Sequence, residues 1–132
     1  MLTGIQAAHV EELWPQVAGL LQKALAKGQG DYILDDVKKE LLERDAQLWA
    51  WIEDGIVLGC CTTRIVNYSQ RRVCQIPLIA GTKMRKWLQC EDVIATWARE
   101  KGCTQLEGFS RDGWIRVLRH WRKAWTTMRR DL

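Results

Sequence analysis

VCQIPLIAGTKMRKWLQCEDVIATWAREKGCTQLEGF, residues Val73 to Phe109, decides the fold, because two β-like runs bracket one amphipathic helix. Val73 to Gly81 is apolar and rich in strand-forming residues. Thr82 to Lys86, TKMRK, is a cationic elbow. From about Met84 to Lys101 the residues Trp87, Cys90, Ile94, Trp97 and Ala98 recur on one helical face. Arg99 and Lys101 complement the negative end of that helix, and Gly102 supplies its stop. Thr104 to Phe109 then reads as a second strand. A strand, helix, strand connection of this length crosses over right-handed, so the two strands are expected to run parallel. The helix opens where Thr82, Lys83, Arg85 and Lys86 cluster, and its unpaired amides there favour an anion such as phosphate.

Pro77 stands in the middle of the first of these strands. Proline removes a ladder donor and is normally kept out of a central strand. Two readings are open: the strand parts from its parallel neighbour at this point, or Pro77 marks an edge or bulge without further consequence.

Working outward, Asn67 to Arg72 (NYSQRR) is a polar turn. Ala46 to Tyr68 reads as a hairpin, with Glu53, Asp54 and Gly55 punctuating two runs rich in Trp, Ile, Val, Thr and Cys. With Val73 to Ala80 this gives three consecutive antiparallel strands, and sheet structure is expected to begin at Ala46. Upstream, Leu13, Val17, Leu20, Leu21, Ala24 and Leu25 define a helix from about Glu11 to Lys27, with Pro15 in or near its first turn. Lys27 to Asp31 (KGQGD) breaks it, and Leu34, Val37 and Leu41 mark a short second helix to about Glu43. Downstream, Trp114, Val117, Leu118 and Trp121 form a stripe on a last helix capped by Ser110 or Asp112. Trp125 to Leu132 is expected to return to the sheet as a terminal strand.

Composition sets the bounds. With 132 residues, 47% hydrophobic, the chain has room for one domain and one core. It contains no apolar run of membrane-spanning length and no secretory signal at Met1 to Val10, so a cytoplasmic location is expected. Its net charge of +4 is unevenly placed. Residues 1 to 54 carry five Lys and Arg against ten Asp and Glu, whereas residues 55 to 132 carry fifteen against six. The second half is the anion-facing half, suited to a phosphate-rich cofactor, a nucleic acid or an acidic protein, although many such cations simply solvate helix faces. Cys60, Cys61, Cys74, Cys90 and Cys103 include no C-x-x-C pair, and only His9 and His120 could assist them. Zinc-ligand spacing is absent, so no metal is expected, and the cysteines read as small buried residues in a reducing compartment.

This order of elements, across nearly the whole chain, resembles the GNAT superfamily of N-acetyltransferases. The wording that carries it is WAREKGCTQLE, followed by a helix and a closing strand. TRIVNY, IAG, WAREKGC and the Gly-Trp-x-Arg-Val-Leu helix together resemble small GNAT-like proteins of tailed phages and prophages. The resemblance implies an α/β (α+β) fold with a mixed antiparallel and parallel central sheet, two N-terminal helices, a crossover helix, and a C-terminal helix plus strand. It also implies acetyl-CoA between the splayed strands, held by Ile79, Gly81, Thr82, Lys83, Arg85, Lys86 and Arg111. Arg111 could equally tie down a loop beneath Trp114.

Two departures bear on chemistry. The superfamily's pyrophosphate loop wraps backbone amides around the diphosphate with glycines, but GTKMRK has none after Gly81, so side-chain charge would have to substitute. GNAT enzymes commonly place a tyrosine on the last helix to protonate the leaving thiolate, and Leu118 occupies the matching position here. The remaining candidates are Glu107 as a base, with a solvated sheet carboxylate as its plainer reading, and Tyr68 if folding brings it near.

Two functions follow. One is an acetyl-CoA-dependent N-acetyltransferase acting on an amine acceptor. The other is a non-catalytic phage structural or interaction protein, a virion component or binder of a phage or host protein, that keeps the fold. Nucleic-acid binding ranks behind both, because tryptophans at helical spacing read as core rather than as stacking platforms.

Overall fold

The computed structural model describes residues 1–81, 84–110, 116 and 118–132, with only the backbone of residues 84–88 described. In chain order the elements are β1 (Leu2–Ile5), α1 (Val10–Ala26), α2 (Leu34–Leu42), β2 (Gln47–Glu53), β3 (Ile56–Asn67), β4 (Arg72–Gly81), α3 (Met84–Glu100) and β5 (Gln105–Gly108). The five strands form one sheet in the order β1-β2-β3-β4-β5. The first three pairings are antiparallel and β4 pairs β5 in parallel, so the expected mixed sheet and crossover are present. Helices pack on both faces of the sheet.

Two expectations need correction. Sheet structure begins at Leu2, not at Ala46: β1 lies antiparallel along β2, Leu2 opposite Trp51 and Ile5 opposite Leu48. Four residues with one glycine leave little periodicity to read, and the strand exists because β2 offers it a free edge. At the other end, the described residues Leu118 to Leu132 contain neither helix nor strand, so the terminal strand expected over Trp125 to Leu132 does not form. Trp125 and Met128, which would have packed on the sheet, are 86% and 90% exposed. Most of the expected last helix lies outside the described residues.

Local chemistry accounts for the remaining boundaries. The β2–β3 hairpin turns on Asp54 (φ 53°) and Gly55 (φ 76°), two consecutive left-handed residues of the kind a two-residue hairpin requires. Gln16 on α1 clamps this turn, accepting the Val57 N–H (2.9 Å) and donating to the Gly55 carbonyl (3.2 Å). Helix α3 ends at Gly102 (φ 82°), where Gly102 N–H reaches Arg99 O and Cys103 N–H reaches Ala98 O, the paired bonds of a Schellman stop. Helix α1 starts at Val10, which puts Pro15 in its second turn, next to the first.

The core has two layers. On one face, α1 and α2 bury Val17, Leu21, Val37 and Leu41 against Leu48, Ala50 and Cys60. On the other, α3 buries Cys90, Ile94 and Ala98 against Trp49, Cys61, Cys74 and Ile76. Full burial of a side chain such as Leu21 contributes about 2 kcal/mol. Trp49 anchors the second layer by donating its indole N–H to Thr63 Oγ1 (2.9 Å) and meeting the Trp97 ring edge-on at 5.3 Å. All five cysteines are buried thiols outside any disulfide, as expected. Burial pushes Cys60 up to about 12 and Cys74 up to about 11, which keeps both protonated and unreactive at neutral pH.

Candidate functional site

The site grows from a change of pairing along β4. Arg64 opposes Gln75 and Thr62 opposes Leu78, so Thr63 alone faces both Ile76 and Pro77: β4 carries a bulge. Pro77 occupies the one stretch where a missing N–H breaks no ladder. The parallel pairing with β5 runs through Val73–Gln105, Cys74–Leu106, Gln75–Glu107 and Ile76–Gly108 and stops there. Beyond it, Leu78 to Gly81 pair only with β3 among the described residues, leaving their other edge without a strand partner. The two parallel strands therefore part at Pro77. Ile79 lies along the opened edge, 40% exposed, and Gly81 ends it.

At the closed end of this wedge the sheet carries a row of polar side chains on the α1/α2 face. Arg64, Gln75 and Glu107 sit opposite one another on three neighbouring strands. Arg64 Nε donates to Gln75 Oε1 (2.9 Å), and Gln75 Nε2 donates to Glu107 Oε1 (2.8 Å). Tyr68 Oη donates to the same carboxylate, 3.1 Å from Oε1 and 3.3 Å from Oε2. Arg64 also pairs with Glu40 of α2 (3.7 Å) and lies over the Tyr32 ring, 5.7 Å from its centroid. Arg71 covers the Tyr68 ring at 5.3 Å. The row thus links the α1–α2 connection to the last residues of β5.

This row brings together Glu107 and Tyr68, the two candidates for proton chemistry, although 39 residues separate them. Glu107 is half-buried and tethered by two donors, so it is not a freely solvated carboxylate. Of the candidate cofactor residues, Ile79 and Gly81 lie on the opened half of β4. Thr82, Lys83 and Arg111 lie outside the described residues, as do the side chains of Arg85 and Lys86. Leu118 is described and half-buried.

Gln75 and Arg64 were not singled out by sequence. A glutamine in an apolar strand, VCQIPL, is the available signal: at 6% exposure it is a buried amide that requires partners for both ends. Among the described residues no cluster of three or more His, Cys, Asp or Glu could hold a metal ion, and no helix is long and apolar enough to cross a membrane.

The same architecture occurs in solved acetyltransferases. A structure described as a probable acetyltransferase superposes with a TM-score of 0.71 at 14% identity, covering 100% of this chain and 97% of that one. The ribosomal-protein-alanine N-acetyltransferase from Brucella melitensis biovar Abortus 2308 gives 0.72 at 15% identity, covering 100% and 98%. The aminoglycoside N-acetyltransferase AAC(6')-Iy in complex with CoA gives 0.68 at 16% identity, covering 99% and 93%. Identities this low establish a shared GNAT fold. No protein-family model matches the chain, and no curated protein sequence matches it.

Proposed function

We propose that this protein is an acetyl-CoA-dependent N-acetyltransferase. The observation that carries the reading is the parting of β4 from β5 at Pro77, with a tethered carboxylate, Glu107, at the closed end of the opening. The strand edge from Leu78 to Gly81 offers unpartnered backbone groups suited to the amides of a pantetheine arm, and Ile79 offers apolar contact. Lys83, Arg85, Lys86 and Arg111 supply the charge for its phosphates in place of the missing glycines, and Thr82 a hydroxyl donor. When bound, acetyl-CoA would supply an acetyl thioester as the electrophile for an amine acceptor.

The chain's own contribution is alignment and proton handling. Glu107 accepts the proton that the acceptor ammonium must lose before its nitrogen can attack, directly or through one water. Tyr68 holds that carboxylate through its hydroxyl and is the candidate proton donor, since Leu118 has none to give. Proximity of amine and thioester supplies most of the acceleration, so the absent tyrosine lowers the rate without abolishing it.

Calorimetry with acetyl-CoA tests the reading. Micromolar binding that is lost in the Lys83→Ala, Arg85→Ala double variant supports it, and no heat at millimolar cofactor rejects it. For the chemistry, Glu107→Gln should reduce acetyl transfer about a hundredfold while cofactor affinity stays unchanged. A second reading, a non-catalytic phage-type binder or virion protein retaining the fold, is favoured by the loop GTKMRK and by Leu118. It predicts the no-heat outcome, together with capture of an acidic protein partner by the basic second half.

A further inference from the structure

We infer that Gln75 and Arg64 form a positioning pair that sets the orientation of Glu107; the catalytic meaning of this rests on the acetyltransferase reading. The argument is one of donor and acceptor inventory. Arginine donates hydrogen bonds and cannot accept them, whereas a carboxylate accepts and cannot donate. The amide of Gln75 lies between the two, so only one of its two orientations satisfies both neighbours. Oε1 must face Arg64 and Nε2 must face Glu107, as found at 2.9 and 2.8 Å.

Gln75 is 6% exposed, so water cannot readily replace either bond. Arg64 is held in turn by Glu40 and the Tyr32 ring. The guanidinium thereby locks the amide, and the amide with Tyr68 locks the carboxylate from two sides. This fixes Glu107 at the closed end of the wedge with one defined oxygen, Oε1, shared by both donors. Neither residue touches the opened edge of β4. Their effect passes through Glu107 alone.

The test reads Glu107 directly as well as through turnover. In protein labelled with carboxyl-13C glutamate, Glu107 is assigned by the resonance missing from Glu107→Gln. The Gln75→Leu and Arg64→Met variants should each shift this resonance and leave the other assigned glutamates except Glu40 in place. The double variant should shift it no further than Gln75→Leu alone, because Arg64 acts through Gln75. With acetyl-CoA and an aminoglycoside or an alanine-initiated peptide as acceptor, each variant should lower kcat roughly tenfold at unchanged KM, the loss expected for a charged hydrogen bond. Gln75→Glu should not rescue, because it sets a carboxylate against Glu107.

A Glu107 resonance indifferent to Arg64→Met, which removes a half-exposed side chain and keeps the fold, overturns the inference. So does a double variant whose shift is the sum of the two singles. If the resonance responds but acetyl-CoA produces no heat in the wild type, the pair positions Glu107 and it is the acetyltransferase reading that fails.

Discussion

The two halves of β4 are one continuous strand yet do different work. From Val73 to Gln75 it is paired on both edges, and Val73, Cys74, Gln75 and Ile76 are all at or below 8% exposure. From Leu78 to Gly81 it keeps β3 but has no β5 partner, and Ile79 rises to 40% exposure. One residue, Pro77, thus separates core from an edge without a strand partner among the described residues. A sheet can open a binding slot without a hinge or a long loop, provided that one residue at the division cannot serve the ladder.

The sharpest way to break the comparison is to truncate one isoleucine from each half. Ile76→Ala should destabilise the protein by about 3 kcal/mol in a urea titration, the cost of a cavity in a packed core. Ile79→Ala should cost less than about 1 kcal/mol, because half of that side chain is already in water, and should instead weaken acetyl-CoA binding. Equal losses of stability would mean that the second half of β4 is core as well.

The dividing residue gives a smaller effect. Pro77→Ala restores an N–H at the bulge and frees the unfolded chain, so stability should drop by about 0.5–1 kcal/mol. Acetyl-CoA affinity should fall further than that if the restored donor lets β4 approach β5; unchanged affinity would reduce Pro77 to a bulge residue only.

Alkaline pH sharpens the contrast from the chemical side. Cys74 lies in the zipped half, and burial raises it from 9.0 to about 11; Cys60 on neighbouring β3 rises from 9.0 to about 12. A folded state that keeps these thiols protonated has its full stability below pH 9. That stability is lost as pH climbs through about 11 to 12, because the unfolded thiols ionise first. Chemical denaturation at stepwise pH should show the decline, and Cys74→Ala should flatten part of it.

The smallest expected effect lies far from β4. Arg129 binds Asp31 through two 2.8 Å hydrogen bonds and lowers its carboxyl below the ordinary range, but both side chains are about half exposed. Arg129→Ala should leave the thermal midpoint at neutral pH unchanged, because solvent screens such a pair.

Where the fold was legible, the signal was periodic and local. The face of α3 through Cys90, Ile94 and Ala98, the Asp54–Gly55 turn and the Gly102 stop each follow from residues within one or two turns of chain. β1 was not legible, since four residues become a strand only when β2 lends them an edge. The tail from Trp125 to Leu132 misled for the converse reason: a strand needs an edge to join, and no described strand edge receives it.

The candidate site divides along the same line. Glu107 and Tyr68 could be nominated from residue type and position, and Pro77 from its conflict with a central strand. Their assembly could not be read, because Tyr68 and Glu107 meet only after α3 has carried the chain back to lay β5 beside β4. Gln75 has no chemistry of its own to advertise.

Residue order alone determined the helices, the turns and the crossover, because these depend on spacing and on backbone preference at short range. Tertiary structure alone decided which side chains share a row and which strand edge stays open, because register between strands distant in sequence sets both.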